Sequence, residues 1–413
     1  MNLIRNAAFA LVAATALATP PVIASELQLG WYVDGDEQEQ ALRGLLDEYT
    51  KLHPETTFDL QITPYDGMSE KFRQYAASGI MPDVSLTSSM EPVVRPFLVD
   101  WAEVNGKDWI DQFVKGWADG AKLGDKVIAA PLDVTAVGIF YNVDAFTKAG
   151  VALPQPGATW DEVLPALKQV SEKASVRFPL VWDVSAHRYL TYQFQSGNHI
   201  YSEDAPVKVA MDDASWVTVL KQFVKITEDY MPPGLWSGSS SDKPYDMFVN
   251  QQAVAYMSGS WQIGSFNDNA TFKWQAGPTP KGTVSSSNVG GNYLVAFNTS
   301  KHLDEATSFV TWITSPEVQA EYAKIFGLLP ANKLAPAVAY SSEDAAAAVK
   351  GFQADLENSP RYAATDQAWP EMQAGVWDAV KNSVTQVVAG QVTPEEAIAS
   401  LRAAAEAAIT AGQ

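Results

Sequence analysis

The segment YMSGSW, residues 256–261, places a large aromatic ring directly behind small and flexible residues. Glycine leaves the backbone loose and serine bonds readily to the chain itself, so neither Gly259 nor Ser260 provides packing for Trp261. The ring therefore either turns inward as core or faces a partner outside the fold. An indole that faces outward offers a flat apolar surface on which a small molecule can stack.

A run of small residues offers a second place where a ligand can approach the chain. Gly290 and Gly291 carry no side chain, so the backbone there can lie close to another molecule. The amide of Asn292 both donates and accepts hydrogen bonds. A plain turn between two elements is the alternative interpretation. Asp133 is a third candidate, because one carboxylate can accept hydrogen bonds from two neighbouring hydroxyl groups.

Polar side chains also follow each of three predicted strands. These residues are Asp36, Glu37, Tyr65, Asp66, Ser88 and Ser89. In an open parallel sheet, ligands bind outside the carboxyl ends of the strands, so we expect these groups at a binding site. The alternative is that the acidic residues only stabilise the helix that follows each strand, because negative charge is favoured in the first turn of a helix. The two serines likewise lie at a predicted helix entry.

Aromatic residues and one arginine complete the candidate set. Thirteen tryptophans are more than a core of this size needs, so we expect some of them to line a binding surface. Trp182, Tyr189 and Trp236 are the candidates in the middle of the chain, with core packing as the alternative. Arg361 precedes Tyr362 in a proline-flanked loop and is either a ligand contact or a solvated surface residue.

Motifs of common hydrolases and nucleotide-binding enzymes are missing from the sequence. We find no nucleophile elbow, no phosphate-binding loop and no HExxH zinc motif. A glycosidase needs two opposed carboxylates, and the spacing of Asp133 and Asp183 does not support that role. The chain has no cysteine, and its four histidines lack metal-ligand spacing. We therefore expect no metal, no cofactor and no catalytic residue.

The charge and the N-terminal segment limit partners and location. A formal net charge of −20 argues against nucleic acid or an anionic membrane, because both require a basic surface. Arg5 precedes a short apolar run and the sequence TPPVIASE, which predicts an export signal in residues 1–24, cleaved after Ala24. Because no cysteine is present to carry a lipid, we expect a free protein of the periplasm.

The elements that must position these residues are predicted from hydrophobic spacing. Segments 27–33 and 56–62 are predicted strands, and a third strand spans 82–89. A helix with regularly spaced leucines separates the first two, and another spans about 69–77. Strand–helix–strand–helix–strand with short links predicts a doubly wound α/β sheet with parallel strands.

Two later segments change character in ways that predict crossings between domains. In residues 122–142, Gly124 begins a hairpin turn and an extended run follows, and residues 272–300 are rich in proline and glycine. Roughly 390 residues after the signal are enough for two domains. Between the crossings, Thr159 begins a predicted capping box at a helix N-terminus.

Four ordered segments make the chain similar to a known family. They are ASGIMPDVSLTSS, YNVDAFTKAGVALPQPGATWDEV, FVNQQAVAYMSGSW, and GPTPKG followed by NVGGNYLVAFNTSKHLDEATSFVTWITSPEVQ. In order and spacing they resemble the extracellular solute-binding proteins of ABC importers, in the carbohydrate family that includes maltose-binding protein. The resemblance covers nearly the whole chain after the signal. It implies two α/β lobes, each a mainly parallel sheet flanked by helices, joined by a hinge with several chain crossings.

The resemblance also implies where the lobes lie and how they work. The chain should cross the hinge at about 133–138, near 280–290 and near 330. The predicted N-terminal lobe comprises residues 25–133 plus 288–330, and the predicted C-terminal lobe residues 134–287 plus 331–413. A ligand held in the cleft between the lobes biases hinge closure by touching both of them.

Further implications of the resemblance concern the ligand and the partners. Trp261 would stack on a ring of a disaccharide, oligosaccharide or glycoside, and a monomer would dock transiently on the permease subunits and their ATPase. No nucleic-acid partner is expected. A polyamine or another small solute is the alternative ligand, and a periplasmic glycoside hydrolase is a remote alternative. The acidic residues available to hold a polyamine are Asp34, Asp36, Glu37, Asp66 and Asp133.

Overall fold

The computed structural model describes residues 25–33, 35–88, 90–204, 206–336, 338, 342–369 and 371–411. The predicted export signal, residues 1–24, lies outside them. The strands are β1 (Ser25–Trp31), β2 (Thr56–Ile62), β3 (Val84–Thr87), β4 (Lys122–Leu123), β5 (Lys126–Val127), β6 (Ala130–Asn142), β7 (Phe178–Trp182), β8 (Ala253–Gly259), β9 (Trp274–Gly277), β10 (Val289–Ala296) and β11 (Leu329–Pro330).

Helices cover most of the remaining described chain. The α-helices are α1 (Asp36–Leu52), α2 (Met68–Ser78), α3 (Trp101–Asn105), α4 (Lys115–Gly120), α5 (Val143–Ala149), α6 (Trp160–Ala174), α7 (Ala186–Phe194), α8 (Asp213–Tyr230), α9 (Pro244–Val249), α10 (Gln262–Asn269), α11 (Leu303–Ile313), α12 (Pro316–Phe326), α13 (Glu343–Asn358), α14 (Tyr362–Ala368), α15 (Trp377–Val388) and α16 (Pro394–Ala411). Short 3₁₀ turns span Tyr65–Gly67, Arg95–Phe97 and Lys107–Gln112, and a π-helical turn spans Met372–Val376. No helix in the described part of the chain is long and apolar enough to cross a membrane.

Local features near the N-terminus and the first crossing follow the sequence predictions. The order β1–α1–β2–α2–β3 is confirmed, and β1 pairs in parallel with both β2 and β3. Gly124 lies in the turn of the β4–β5 hairpin with φ of 60°. Thr159 caps α6, and its backbone N–H donates to Glu162 Oε2 over 2.8 Å, which completes the predicted capping box.

The central sheet is mixed, which differs from the predicted mainly parallel lobes. Its strand order is β2-β1-β3-β10-β6-β8-β7, with β9 and β11 also paired to β6. The outer pairs β1–β2, β1–β3 and β7–β8 are parallel, but β10 is antiparallel to β3 and β6, and β8 is antiparallel to β6. The physical reason is the return of the chain, because β6 and β10 are neighbouring crossings made in opposite directions.

The 13-residue strand β6 connects the two parts of this sheet. It pairs with β10 as far as Ala136, and from Val137 onward it pairs with β8 and β9. This change of partner lies inside the predicted first crossing at 133–138. Every residue of β6 is buried except Thr135, which is partly exposed.

Two hydrophobic clusters make up the core, and the first extends past this exchange, because it also contains Phe140 of β6 and Phe266 of α10. One contains most of the buried residues of β1–β3, β10 and α11, and the other contains those of α6–α8, α15 and α16. Each cluster is rich in aromatic rings, with Trp31 and Trp101 in the first and Trp216 and Trp236 in the second. Many tryptophans are therefore core residues, and the sequence count alone overstated how many are available to line a surface.

Candidate functional site

Trp261 lies at the junction between β8 and α10, directly beside β6. Ser260 is buried and fixes the junction, because its N–H donates to the Ala136 carbonyl over 2.9 Å and its hydroxyl accepts from the Ala136 N–H over 3.2 Å. A β-carbon at Gly259 would lie 1.8 Å from Cζ3 of Trp261, so the ring requires a glycine at that position. The indole packs on the core with one part and stays partly exposed with another.

A charged pair accompanies Trp261. The guanidinium carbon of Arg188 lies 4.2 Å from the centroid of the Trp261 ring, within cation–π range. Arg188 also forms a 3.7 Å ion pair with Asp183. The carboxylate of Asp183 accepts hydrogen bonds from the Tyr256 hydroxyl over 2.8 Å and from the Ser258 hydroxyl over 2.5 Å. These contacts place β7, β8 and α7 around one partly exposed polar and aromatic surface.

Sequence reasoning missed Arg188 and gave Asp183 no binding role. Asp183 directly follows β7, so the strand-end rule that selected the earlier polar residues could have found it. A second contact that the sequence did not predict lies next to Arg188 in the chain. The ring of His187 stacks on the partly exposed Trp377, with 3.9 Å between the ring centroids. Burial and the adjacent positive charge of Arg188 lower the pKa of His187 to about 3, so its imidazole is neutral at physiological pH.

Asp133 is held inside the hinge by Asn292. The backbone N–H of Asn292 donates to Asp133 Oδ1 over 3.1 Å, and Asn292 Nδ2 donates to Oδ1 over 3.1 Å and to Oδ2 over 2.8 Å. The hydroxyl of Tyr32 donates to Asn292 Oδ1. Burial raises the pKa of Asp133 to about 7, although the bonds from Asn292 act in the opposite direction. In this structure Asp133 is fully buried and bonds to the protein itself, instead of facing a ligand as we expected.

The two candidate glycines lie opposite Val134 and Thr135 of β6, of which Thr135 is partly exposed. Gly290 pairs with Thr135 and Gly291 pairs with Val134, so no side chain from β10 covers the Thr135 hydroxyl at these positions. Gly291 has φ of 142°, a conformation that favours glycine. Thr135 is a further residue that the sequence reasoning did not select.

Tyr65 and Ser88 come together next to the hinge. The Tyr65 ring is 53% exposed, and its hydroxyl lies 3.3 Å from the Ser88 hydroxyl. Its ring centroid is 5.1 Å from that of Tyr32, in an edge-to-face arrangement. Since Tyr32 bonds to Asn292, this exposed pair is connected to the Asp133 network. The carboxyl ends of β2 and β3 thus meet as predicted for parallel strands.

The remaining acidic candidates contribute less to this surface. Asp36 is exposed at the first position of α1, whose N-cap is Gly35, so its position fits the first-turn charge that was the alternative interpretation. The side chains of Glu37 and Asp66 lie outside what the structure describes. Asp34 and Ser89 lie outside the described residues altogether.

Three predicted aromatic platforms are core residues instead. Trp182, Tyr189 and Trp236 are all almost completely buried, with exposed fractions of 0%, 1% and 1%. Trp182 stacks on Trp160 at 5.3 Å, and the edges of further rings fill the space around it. The reason is tertiary packing, because Trp182 is the last residue of the edge strand β7 and its side chain lies in the hydrophobic cluster that contains the buried residues of α6–α8.

Arg361 is a surface residue in this structure, as its alternative interpretation required. Its guanidinium pairs with Asp204 over 3.0 Å and donates to the Glu203 carbonyl over 3.1 Å. The group is exposed, and neither of its partners belongs to the surface around β6.

The arrangement suits binding rather than catalysis. Asn292 pairs with Asp133 and Ser260 bonds to Ala136, three residues further along β6, a separation of about 10 Å for a strand. Partly or largely exposed aromatic and polar groups from both parts of the sheet therefore border one short stretch of β6 around Thr135. We call this stretch, together with the groups that border it, the hinge site. No group of metal-ligating side chains was found among the described residues.

Comparisons with known proteins agree with this architecture. The sequence pattern described as bacterial extracellular solute-binding protein matches residues 34–320. The multiple sugar-binding protein of Streptococcus mutans is 22% identical over 81% of this chain and 78% of its own length. The lactose-binding protein of Rhizobium radiobacter is 24% identical over 78% of each chain.

A solved structure extends the comparison to the fold. The GacH receptor of Streptomyces glaucescens, described unliganded and in complex with acarbose, superimposes with a TM-score of 0.76 at 20% identity. The alignment covers 94% of this chain and 99% of that one. This likeness confirms the predicted two-lobed α/β fold.

Proposed function

Because this chain belongs to the family of bacterial extracellular solute-binding proteins, we propose that it binds a carbohydrate at the hinge site and delivers it to an ABC importer. The observation that carries the proposal is the partly exposed indole of Trp261, fixed beside the hinge strand with polar groups around it. Relatives named multiple sugar-binding and lactose-binding protein support the same class of ligand.

The chemistry of a sugar matches these groups. One face of a sugar ring is a patch of C–H groups that suits the flat face of an indole, and a comparable contact between aromatic rings is worth about 0.5–1.5 kcal/mol beyond area burial. The hydroxyl groups of the sugar need donors and acceptors at its edge. Thr135, Tyr65 and the Arg188–Asp183 pair supply both kinds from the two sides of β6.

The free energy needed to close the hinge favours a ligand with many contact groups. A ligand that takes the hinge from 1:99 to 99:1 in favour of the closed form must prefer that form by about 5.5 kcal/mol. A disaccharide, oligosaccharide or glycoside offers more groups than a monosaccharide for contacts with both lobes. We therefore propose a ligand of at least two rings, or one ring with a substituent.

A polyamine is the weaker candidate because of the charges at Trp261. An ammonium group that stacked on this indole would lie close to the guanidinium of Arg188, which already occupies cation–π range of the same ring. Asp133, one of the acids proposed to hold a polyamine, is buried and bonded to Asn292. Of the other acids proposed to hold a polyamine, the structure describes only the side chain of Asp36, which is exposed in the first turn of α1.

Location and partners complete the proposal. The family is extracellular and consists of binding proteins rather than enzymes. We place this protein in the periplasm after removal of residues 1–24, as a monomer that docks transiently on permease subunits powered by a separate ATPase.

A thermal-shift screen tests the proposal. Neutral sugars, glycosides and polyamines are added to the purified protein, and a ligand at 100 times its dissociation constant should stabilise it by about 2.7 kcal/mol. Trp261→Ala should abolish the carbohydrate-dependent shift. Trp312→Ala is a matched control, because Trp312 is also partly buried but lies on α11, and it should keep the shift. A shift with polyamines and none with any carbohydrate would refute the proposal.

A further inference from the structure

Arg188 is a largely buried cation whose hydrogen-bonding capacity is unused. Its side chain is only 16% exposed, and its Nε is buried without a hydrogen-bond partner. Within the described part of the chain, the guanidinium makes the 3.7 Å ion pair with Asp183 and the contact with Trp261 but no hydrogen bond. A guanidinium carries five N–H donors, and leaving such donors unpaired in a buried place is unfavourable.

The position of Arg188 shows what would use those donors. The guanidinium covers one face of Trp261, which leaves the other face and the edge of the ring for the proposed carbohydrate, and Arg188 lies in the first turn of α7 next to the end of β7. Oxygen atoms of a molecule bound on that indole would lie within reach of the guanidinium. Arg188 is therefore placed to hydrogen-bond with the ligand itself.

The negative charge of Asp183 determines which kind of ligand oxygen can bind to Arg188. The two oxygens of Asp183 already accept hydrogen bonds from Tyr256 and Ser258, and its charge balances that of Arg188. A ligand carboxylate bound to Arg188 would bring a second negative charge close to Asp183. Two negative charges placed so close together repel each other, which would weaken the binding of that ligand. Hydroxyl and ring oxygens carry no such penalty.

We propose that the Arg188–Asp183 pair is a specificity element that hydrogen-bonds to the hydroxyl and ring oxygens of a neutral saccharide and discriminates against uronic acids. This inference rests on the proposed carbohydrate-binding function and narrows its substrate class. Arg188 donates to the ligand, and Asp183 both positions Arg188 and repels anionic ligands.

Titration calorimetry on the full chain tests the pair. The probes are a panel of neutral disaccharides and trisaccharides that includes maltose and lactose, the same sugars with a terminal hydroxymethyl group oxidised to a carboxylate, and spermidine. The wild-type protein should bind its tightest neutral sugar at least tenfold more strongly than the oxidised form. Arg188→Gln should weaken the neutral sugar at least tenfold. Arg43→Gln, which removes an exposed arginine paired with Glu39 on α1, should bind like the wild type.

Asp183→Asn separates specificity from simple packing, because asparagine keeps the shape and removes the negative charge. The ratio of affinities for neutral and oxidised sugars should fall at least tenfold in this variant, a change that a structural role alone would not produce. Equal binding of the neutral sugar by wild type and Arg188→Gln would overturn the inference. Tighter binding of oxidised sugars by the wild type would overturn it while leaving the proposed function intact. Binding of spermidine with no saccharide bound would refute the proposed function and, with it, this inference.

Discussion

Gly291→Ala should destabilise the protein by acting on the hinge itself. Gly291 has φ of 142°, and a β-carbon there would lie 2.3 Å from the Asp133 carbonyl oxygen and 2.8 Å from Val134 Cα. Both atoms belong to the backbone of β6, so no side-chain rotation relieves the overlap. A residue forced into such a conformation costs about 1–3 kcal/mol, and overpacking a tight site costs about 1–3 kcal/mol more. We expect a total loss of about 2–6 kcal/mol in the free energy of unfolding.

The neighbouring glycine provides a matched control for this change. A β-carbon at Gly290 would meet only the hydroxyl oxygen of Thr135, at 2.7 Å, and a side chain can rotate away. Replacing a glycine with alanine also lowers the entropy of the unfolded chain, which stabilises the protein by about 0.4–1 kcal/mol where the conformation allows it. Gly290→Ala should therefore change the free energy of unfolding by less than about 1 kcal/mol.

Urea unfolding followed by tryptophan fluorescence measures both variants against the wild type under one set of conditions. For the Gly291→Ala variant, the urea concentration at the midpoint of unfolding should be well below that of Gly290→Ala. If the two variants unfold at the same urea concentration, the close approach of β10 to β6 at Gly291 is not what the hinge depends on.

The remaining predictions concern two buried groups. The pKa of Asp133 rises from 3.8 in the unfolded chain to about 7 in the folded one, so the folded state binds the proton more tightly and the contribution of Asp133 to stability should be lost as pH rises from about 4 to 7. Asp133→Asn should remove this contribution, so in urea unfolding the stability of the variant relative to the wild type should rise with pH across this range. Asp355, with a pKa raised to about 6, acts in the same direction as Asp133, and His187, with a pKa lowered to about 3, acts in the opposite direction, so the variant is compared with the wild type at each pH. A difference in stability that does not change with pH would contradict the assignment. Trp182→Ala should cost about 3–5 kcal/mol of unfolding free energy, because the ring is fully buried against other rings, and a loss below about 1 kcal/mol in chemical denaturation would show that it is not core.

Several features of the fold were predictable because they depend on neighbours in the chain. The alternation of β1, α1, β2, α2 and β3 followed from hydrophobic spacing, which reports which side of an element is buried. The cap at Thr159 and the turn at Gly124 depend on hydrogen bonds and dihedral angles within a few residues. A change of composition over residues 122–142 predicted a passage between domains, and β6 changes its partner within that segment.

The candidate site was only partly predictable. Trp261 was selected from the small residues before it and from the family resemblance, and Tyr65 and Ser88 from their positions after strands. The structure leaves all three at least partly exposed. Trp182 satisfied a similar rule of type and position and is nevertheless core. Residue type cannot distinguish the two outcomes, because an indole serves equally as a packing group and as a stacking surface, and its exposure depends on what else covers it.

The sequence by itself determined the order of elements, the local caps and turns, and the small residues at which the backbone must come close to other groups. Only the tertiary structure decided which polar groups face one another. Arg188 meets Trp261, His187 meets Trp377, and Asp133 is closed off by Asn292, all through segments far apart in the chain. Such pairings depend on the register of β6 with β8 and β10 and on the packing of α7 and α15. No short-range pattern carries that information, because each contact is set by elements that meet only after the chain has folded.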